Sequence, residues 1–246
     1  MNTKRYFEDR VKSAFGFHYA SKLQNLYAHN NRRTPLFSSL DFTDKAVLDV
    51  GCGDGTWLVE FMKMGASRVN GIEQSDLLAK NARKHIQDNR TYNCVDVGIM
   101  SMPIESEEWN QTYVYKGVFD IATLITVFNF IDPQKRLQGL KNIHQMLKPF
   151  GKIAIIEYAP NKVPEFQKHL DYKTVWTEEQ VLQSIDAAGF TTLNVIPVNV
   201  VDSLLFHYFG VNYLTYTLTM FADKFLPRWF PQMAKYKLFI AIRRDI

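Results

Sequence analysis

Short apolar runs alternate with longer stretches of mixed polarity through the middle of this chain of 246 residues. An apolar run bounded by turn residues predicts a buried strand, and a longer mixed stretch predicts a helix. The predicted strands are 46–50, 68–72, 92–97, 119–130, 152–156, 191–198 and 236–243, and the predicted helices are 56–64, 76–87, 134–147 and 177–188. Strands separated by helices favour a parallel sheet with both faces covered. The sequence therefore predicts an α/β fold with a seven-stranded, mostly parallel, doubly wound sheet.

Two segments interrupt this alternation. Residues 1–40 precede the first strand and are predicted to form a helical N-terminal extension. Residues 199–235 form a predicted helical insertion between strands six and seven, far longer than a usual connection. Such decorations on a rigid sheet commonly carry specificity. We therefore expect the main domain to span 41–246, with 199–235 acting as a lid or a substrate-binding insertion.

The first predicted strand ends in a glycine-rich turn, Gly51-Cys-Gly-Asp-Gly55. Glycines let the backbone turn tightly and let a ligand approach closer than a Cβ would allow. Glu73 ends the second strand about twenty residues later, where a carboxylate can accept hydrogen bonds from an adenosine ribose. A dinucleotide and S-adenosylmethionine both fit this arrangement.

Two residues distinguish these ligands. The dinucleotide fingerprint G-x-G-x-x-G places its third glycine where this chain has Thr56. Asp49, just before the glycines, would repel a pyrophosphate but suits the ammonium group of a methionine moiety. The residues therefore favour the sulfonium cofactor over a nicotinamide dinucleotide.

Four motifs carry a family resemblance: Val47–Gly55, Gly71-Ile-Glu-Gln74, Phe119–Asn129 and Met146–Lys152. In this order and spacing they resemble the class I S-adenosylmethionine-dependent methyltransferases, and the resemblance covers roughly 42–190. It implies a Rossmann-like methyltransferase fold in which strand seven is antiparallel and lies between strands five and six. The turn before strand five departs from the family pattern, because Phe150 stands where glycine is usual.

The resemblance also implies residue roles. Gly51 and Gly53 would pass under the methionine moiety, Asp49 would hold the loop, and Glu73, with Gln74 beside it in the same motif, would bind the ribose.

The family's adenine-binding position follows the third strand. Counting from the predicted strand selects Asp96 with Val97, whereas counting back from the next proline selects Gly98. We prefer Asp96 and Val97, and expect Ile99 and Met100 to form an apolar wall for the adenine.

Composition and charge limit the classes of partner and cofactor that we expect for this chain. Hydrophobic residues make up 46% and charged residues 22%, which excludes a disordered chain. The net charge of +4 is too small to indicate a nucleic-acid partner, so we expect a small-molecule acceptor. Two cysteines, Cys52 and Cys94, are too few for a zinc site, and no metal is predicted. The first residues lack the apolar segment of a signal peptide, and the cytoplasm is the expected location.

Candidate catalytic residues follow from the chemistry. The sulfonium carries the electrophile, so the protein mainly aligns the acceptor, and a hydroxyl acceptor would need a base. His18, His169 and His207 fall in the decorations where the substrate should sit, but they are weak candidates, because a role outside catalysis is the better interpretation of each. Side chains at the ends of strands four and five are expected to line the acceptor pocket, namely Asn129, Glu157 and Tyr158. Arg32 and Arg33 either reach the cofactor carboxylate or form a solvated basic face.

Aromatic residues, 14% of the chain, crowd 203–230. The stretch Ser203–Ala222 has no charged residue and is long enough to span a bilayer, but its polar residues and its place between two strands oppose a membrane span. A lid, a lipid-docking surface and a homodimer interface remain as hypotheses.

The sequence thus predicts a methyltransferase acting on a small-molecule acceptor, with a hydroxyl of an apolar, glycan or lipid-linked compound as the leading candidate. The alternatives are a catalytically silent binding module with the same fold and an NAD-dependent oxidoreductase.

Overall fold

We describe residues 22–89, 96–111, 115–159, 177–198 and 212–245 of a computed structural model. The strands are β1 (Ala46–Val50), β2 (Arg68–Ile72), β3 (Asp96–Met100), β4 (Phe119–Ile125), β5 (Leu147–Tyr158), β6 (Phe190–Val198) and β7 (Tyr236–Arg243). The α-helices are α1 (Lys22–Ser39), α2 (Thr56–Lys63), α3 (Asp76–Asn89), α4 (Arg136–Met146), α5 (Glu178–Ala187) and α6 (Tyr213–Trp229).

The seven strands form one sheet in the order β3-β2-β1-β4-β5-β7-β6. The first five strands pair in parallel, whereas β7 is antiparallel to both β5 and β6. This topology confirms the predicted fold, including the place of β7. The strand order reverses between β1 and β4, and ligands of open α/β sheets bind outside the carboxyl ends of the strands at such a point.

Apolar side chains cover both faces of the sheet. In β1, Leu48 and Val50 belong to one buried cluster and Val47 belongs to the other, because successive strand residues point to opposite faces. Helices α4 and α5 contribute to the first cluster, and helices α1, α2 and α3 contribute to the second. The sheet is therefore doubly wound, as predicted.

Three predicted strands have the wrong bounds. Strand five was expected at 152–156, but β5 is much longer and spans Leu147–Tyr158. Strand three was expected at 92–97, but β3 spans Asp96–Met100, and 92–95 lie outside the described residues. Strand four was expected at 119–130, but β4 ends at Ile125 because Thr126 has a left-handed φ of 58° that turns the chain out of the sheet. The residues that follow include a one-turn helix, Phe128–Phe130, in which Phe128 and Asn129 are buried.

The described parts of the two decorations meet. Helix α1 of the N-terminal extension and α6 of the insertion contact each other, and both contact β6. Between them, Nδ2 of Asn30 donates to the hydroxyl oxygen of Tyr216 at 2.9 Å. A capping box of Asn212 and Thr215 begins α6. Among the described residues, no helix is long and apolar enough to cross a membrane.

Candidate active site

The glycine loop joins β1 to α2 at the carboxyl edge of the sheet. The amides of Gly51 and Cys52 donate to the carbonyl oxygen of Ile72 at 2.7 and 3.1 Å, which ties the loop to the end of β2. Gly51 has a φ of 71°, and a Cβ there would lie 2.5 Å from Cγ2 of Val127. Packing within the protein therefore requires glycine at position 51.

Gly53 has a more open environment. Its φ is 56°, and among the described residues no heavy atom beyond its chain neighbours lies within 4 Å of the place a Cβ would occupy. A backbone that faces open space at the reversal point of the sheet is accessible to a ligand. The arrangement at Gly53 therefore provides the close backbone approach that S-adenosylmethionine, the cofactor implied by the resemblance, would need.

Glu73 follows β2 and lies beside this loop. The side chain is buried, and its Oε2 accepts a hydrogen bond from the amide of Gly53 at 3.0 Å while Oε1 accepts one from the amide of Ser75 at 2.8 Å. The amide of Glu73 donates to the carbonyl oxygen of Met100 at 3.0 Å, which connects it to β3. A carboxylate is the kind of group that accepts hydrogen bonds from ribose hydroxyls, and this one lies at the edge of the sheet beside the glycine loop.

Asp49 is the second buried acid of the site. Its Oδ1 accepts a hydrogen bond from the hydroxyl of Thr123 at 2.7 Å. Burial raises the pKa of Asp49 to about 7, the Thr123 hydrogen bond opposes this shift, and the charge of Glu73 adds to it. A positively charged ligand group would stabilise both carboxylates, whereas a pyrophosphate would be repelled. The electrostatics thus fit the sulfonium cofactor with its ammonium group.

The end of β3 lies next to Glu73. Ile99 and Met100 are half-buried, and they pack against the clusters on opposite faces of the sheet. Gln74, also half-buried, follows Glu73 directly. The structure therefore brings these three predicted residues to the edge that carries the glycine loop.

Asp96 and Val97 are not brought to this edge. Asp96 is the first residue of β3, lies opposite Arg68 in register, and forms an ion pair with it at 2.7 Å. Because a strand rises about 3.3 Å per residue, Asp96 lies about 13 Å from Met100 at the other end of β3. The preference for Asp96 and Val97 came from placing the third strand too early, and Gly98, the alternative, lies in the middle of β3.

The residue that follows β3 is not among the predicted site residues. This residue is Ser101, whose hydroxyl donates to Oδ1 of Asp76, the first residue of α3, at 2.6 Å. The family places its adenine-binding position directly after the third strand. The signal that would have found Ser101 is therefore the correct end of this strand.

A polar pair occupies the carboxyl ends of β4 and β5. Glu157 accepts hydrogen bonds at Oε2 from the amide of Asn129, at 3.1 Å, and at Oε1 from the amide of Tyr158, at 2.8 Å. Asn129 and Glu157 are fully buried. Within the described residues, neither polar atom of the Asn129 side chain has a hydrogen-bond partner. An unsatisfied buried polar group costs about 1–3 kcal/mol, so this amide is a candidate ligand contact.

The environment of Glu157 changes its acidity. Burial raises the pKa of Glu157 to about 7, against the opposing effects of two backbone hydrogen bonds and of the charges of Arg136 and Arg32. A carboxyl group with a pKa near neutrality is suited to general acid–base work. Glu157 and Asp49 are therefore two buried carboxyl groups at this edge whose pKa suits proton exchange, and Glu157 is the one that contacts Asn129.

Helix α1 places two basic side chains differently. The guanidinium carbon of Arg32 lies 5.8 Å from the ring centroid of Tyr236, the first residue of β7. Arg33 forms an ion pair with Glu60 on α2, with Nε and Oε2 2.7 Å apart. Only Arg32 therefore lies toward the edge of the sheet that carries Glu157.

The three candidate histidines, His18, His169 and His207, lie outside the described residues. A fourth, His29 on α1, packs against Trp57 with the two rings tilted and their centroids 4.6 Å apart. Burial is the main cause that lowers the pKa of His29, which favours a neutral imidazole. Trp57 lies in the first turn of α2, so α1 packs beside the glycine loop. This contact depends on helix packing, and no sequence motif signals it.

Comparisons with known proteins agree with this geometry. The family model described as a methyltransferase domain matches residues 47–151. The ubiquinone biosynthesis O-methyltransferase of Coxiella burnetii (strain Dugway 5J108-111) is 31% identical over 197 residues, which cover 69% of this chain and 77% of that relative. In a protein of the same name from another strain, the chain spans 53% of the relative's length.

Solved structures share the fold. The S-adenosylmethionine-dependent methyltransferase from Mesorhizobium loti has a TM-score of 0.62 at 16% identity, covering 88% of this chain and 100% of that chain. Geranyl diphosphate C-methyltransferase from Streptomyces coelicolor A3(2), in complex with Mg²⁺, geranyl diphosphate and S-adenosyl-L-homocysteine, has a TM-score of 0.68 at 13% identity and covers 98% and 97%. At these identities the likeness establishes the fold alone.

Proposed function

Because this chain belongs to the class I S-adenosylmethionine-dependent methyltransferases, we propose that it methylates a hydroxyl oxygen of an apolar, lipid-linked small molecule. The observation that carries the proposal is the buried pair of Asn129 and Glu157 at the carboxyl edge, since a hydroxyl acceptor needs a group that takes its proton. The name of the Coxiella relative, an O-methyltransferase of ubiquinone biosynthesis, supports the same chemistry.

We assign the cofactor to the glycine loop. Bound S-adenosylmethionine supplies an electrophilic methyl group on a sulfonium. Gly51 would shape the turn, the open backbone of Gly53 would let the methionine moiety approach, and the carboxylate of Asp49 would attract its ammonium group. Glu73 accepts hydrogen bonds from the ribose hydroxyls. The groups around the adenine are Gln74, Ile99, Met100 and, directly after β3, Ser101.

The acceptor side is assigned to Asn129 and Glu157. The amide of Asn129 holds the acceptor oxygen in position, which satisfies polar atoms that otherwise have no partner within the described residues. Glu157 takes up the hydroxyl proton as the oxygen becomes methylated, and releases it afterwards to solvent. A pKa of about 7 leaves a substantial ionised fraction of Glu157 at neutral pH.

The insertion 199–235 is assigned as the acceptor-binding lid. Its flanking residues, Val198 and Tyr236, are paired across β6 and β7 at the carboxyl edge of the sheet. The small-molecule nature of the acceptor, a cytoplasmic location and a homodimer all stay predictions.

The test combines titration with turnover. Calorimetric titration should show that S-adenosylmethionine and S-adenosylhomocysteine bind and that NAD does not. Methyl transfer from labelled cofactor should then be measured with phenols that carry or lack a prenyl chain. Replacement Glu157→Gln should lower turnover with cofactor affinity unchanged. Binding of NAD alone would overturn the cofactor assignment, and full turnover by E157Q would overturn the assigned base.

A further inference from the structure

Helix α6 carries a stripe of large apolar side chains that face solvent. We call this set the α6 stripe, and it comprises Leu214, Leu218, Phe221, Phe225 and Trp229. Successive members are three or four residues apart, so they lie along one face of the helix. Their exposed fractions range from 49% to 77%, which is unusual for a continuous row of this size.

The opposite face of α6 is the one that packs on the protein. Thr215 and Thr219 are buried, with exposed fractions of 5% and 0%, and the hydroxyl of Thr219 donates to the carbonyl oxygen of Thr215 at 2.6 Å. Tyr216, the partner of Asn30, also belongs to this inner side. The helix therefore buries small polar residues and exposes aromatic and aliphatic ones, the reverse of an ordinary surface helix.

Basic side chains flank the stripe. Lys224 and Arg228 are exposed, and they lie four residues apart along one side of it. Tyr213 and Trp229, exposed at the two ends of the helix, are of the residue types enriched where apolar lipid meets water. An exposed apolar face with aromatic ends and a basic flank complements an anionic lipid surface.

The fold attaches this helix to the active-site edge. The insertion leaves the sheet after Val198 and returns at Tyr236, residues that pair at the carboxyl end of β5 beside Tyr158. The glycine loop and the pair of Asn129 and Glu157 lie at this same edge. The insertion that carries the α6 stripe is therefore attached at the edge of the sheet that holds the candidate site.

We propose that the α6 stripe docks this enzyme on an anionic lipid surface, from which the acceptor enters the site. This inference rests on the proposed function, in which the acceptor is lipid-linked. A second copy of the chain is a less suitable occupant. An antiparallel two-fold pair of α6 helices would bring the flank with Lys224 and Arg228 against the same flank of its partner, and like charges would repel.

The test is flotation of the purified full chain with vesicles of phosphatidylcholine, with or without phosphatidylglycerol, in the absence of cofactor and acceptor. We expect stronger binding to the anionic vesicles, and weaker binding as salt is raised. The double variant Phe221→Ser/Phe225→Ser should lower the partition coefficient at least about tenfold. The variant Lys224→Gln/Arg228→Gln should lower it about tenfold on anionic vesicles only.

The matched control is Leu193→Ser, which removes an exposed leucine from β6 outside the stripe and should leave binding unchanged. Failure of the unaltered chain to float with anionic vesicles, or equal flotation of F221S/F225S, would overturn the proposal. A concentration-dependent dimer that F221S/F225S abolishes, without vesicle binding, would assign the stripe to a second copy instead. S-adenosylhomocysteine titration of the same samples tests the proposed function separately, because it needs no lipid.

Discussion

Oε2 of Glu73 accepts a hydrogen bond from the amide of Gly53 at 3.0 Å. The residue assigned to the ribose is thus bonded to the residue assigned to lie under the methionine moiety. This contact couples the shape of the glycine loop to the position of the carboxylate. The two points at which a ligand would contact the protein are therefore fixed relative to each other.

Replacing Glu73 by Gln tests this coupling. The change removes the negative charge and places a donor where Glu73 accepts, and hydrogen bonds to charged groups contribute about 1.5–3 kcal/mol. We expect the dissociation constant for S-adenosylhomocysteine, measured by calorimetry, to rise about 10- to 100-fold. Asp96→Asn is the matched control, because Asp96 lies at the amino end of β3. An equal loss of affinity in both variants would contradict the site assignment.

The two glycines should respond differently to alanine. Gly51→Ala forces a Cβ against Val127, so we expect the free energy of unfolding in urea to fall by about 2 kcal/mol or more. Gly53→Ala meets no such contact within the described residues, and its positive φ alone costs about 1 kcal/mol. The Gly53 variant should instead lose cofactor affinity. A folded G53A protein with unaltered affinity would show that the cofactor does not approach there.

Cofactor affinity should depend on the ionisation of Asp49. The pKa of Asp49 is about 7 without ligand, and a bound ammonium favours the ionised form. Affinity for S-adenosylhomocysteine should therefore increase by about tenfold as the pH rises from 6 to 8. In Asp49→Asn most of this dependence should disappear. A slope that persists in D49N would assign it to another group.

The free energy of unfolding should fall as the pH rises, in contrast to the cofactor affinity, because of the raised pKa of Glu157. Its pKa is 4.5 when unfolded and about 7 when folded, so the folded state binds more protons between these values. The free energy of unfolding of the ligand-free protein should accordingly decrease as the pH rises from about 4.5 to 7. Glu157 should contribute on the order of 2 kcal/mol to this decrease, and Asp49, whose pKa is also raised to about 7, should add a contribution of the same sign. Urea titrations of Glu157→Gln should show a flatter profile. An unchanged slope in this variant would contradict the assignment to Glu157.

The variant Asn129→Leu should be more stable than the unaltered protein but less active. The side chain is fully buried, and within the described residues its polar atoms have no partner, so an apolar residue of similar size should raise the free energy of unfolding by about 1 kcal/mol. Methyl transfer should fall at least about tenfold while cofactor affinity stays constant, if the amide holds the acceptor. Lower stability with unaltered turnover would indicate a purely structural residue.

Strands β1, β2 and β7 could be predicted closely, whereas the ends of the equally central β4 and β5 could not. The bounds of β1, β2 and β7 match the predictions, since each is a buried apolar run with a clear turn or polar boundary. The edge strand β3 gave no such signal, because Gly98 interrupts it and its residues are at most half-buried. The left-handed turn at Thr126 could not be predicted either, because β-branched residues rarely adopt a positive φ.

The site residues also divide into those that a local motif predicts and those that depend on contacts between distant segments. Gly51, Gly53 and Glu73 are identifiable because a local motif places them at the ends of adjacent strands. The contact between Asn129 and Glu157 joins the one-turn helix after β4 to strand β5, and the sequence indicated only that both residues lie at the carboxyl edge. Which side of α6 faces the protein depends on α1 and β6, so composition alone left the lid, lipid and dimer hypotheses open.

Because Val198 pairs with Tyr236, the two ends of the insertion lie side by side, and the segment between them can be replaced without disturbing the sheet. In an antiparallel pair, directly opposed residues lie about 5 Å apart, so the two attachment points are close enough to be bridged by a tight hairpin turn. The sheet can therefore accept insertions of very different length at this point without altering the register of β6 and β7. New acceptor preferences could arise by replacing this one segment while the cofactor loop, encoded far upstream, stays intact.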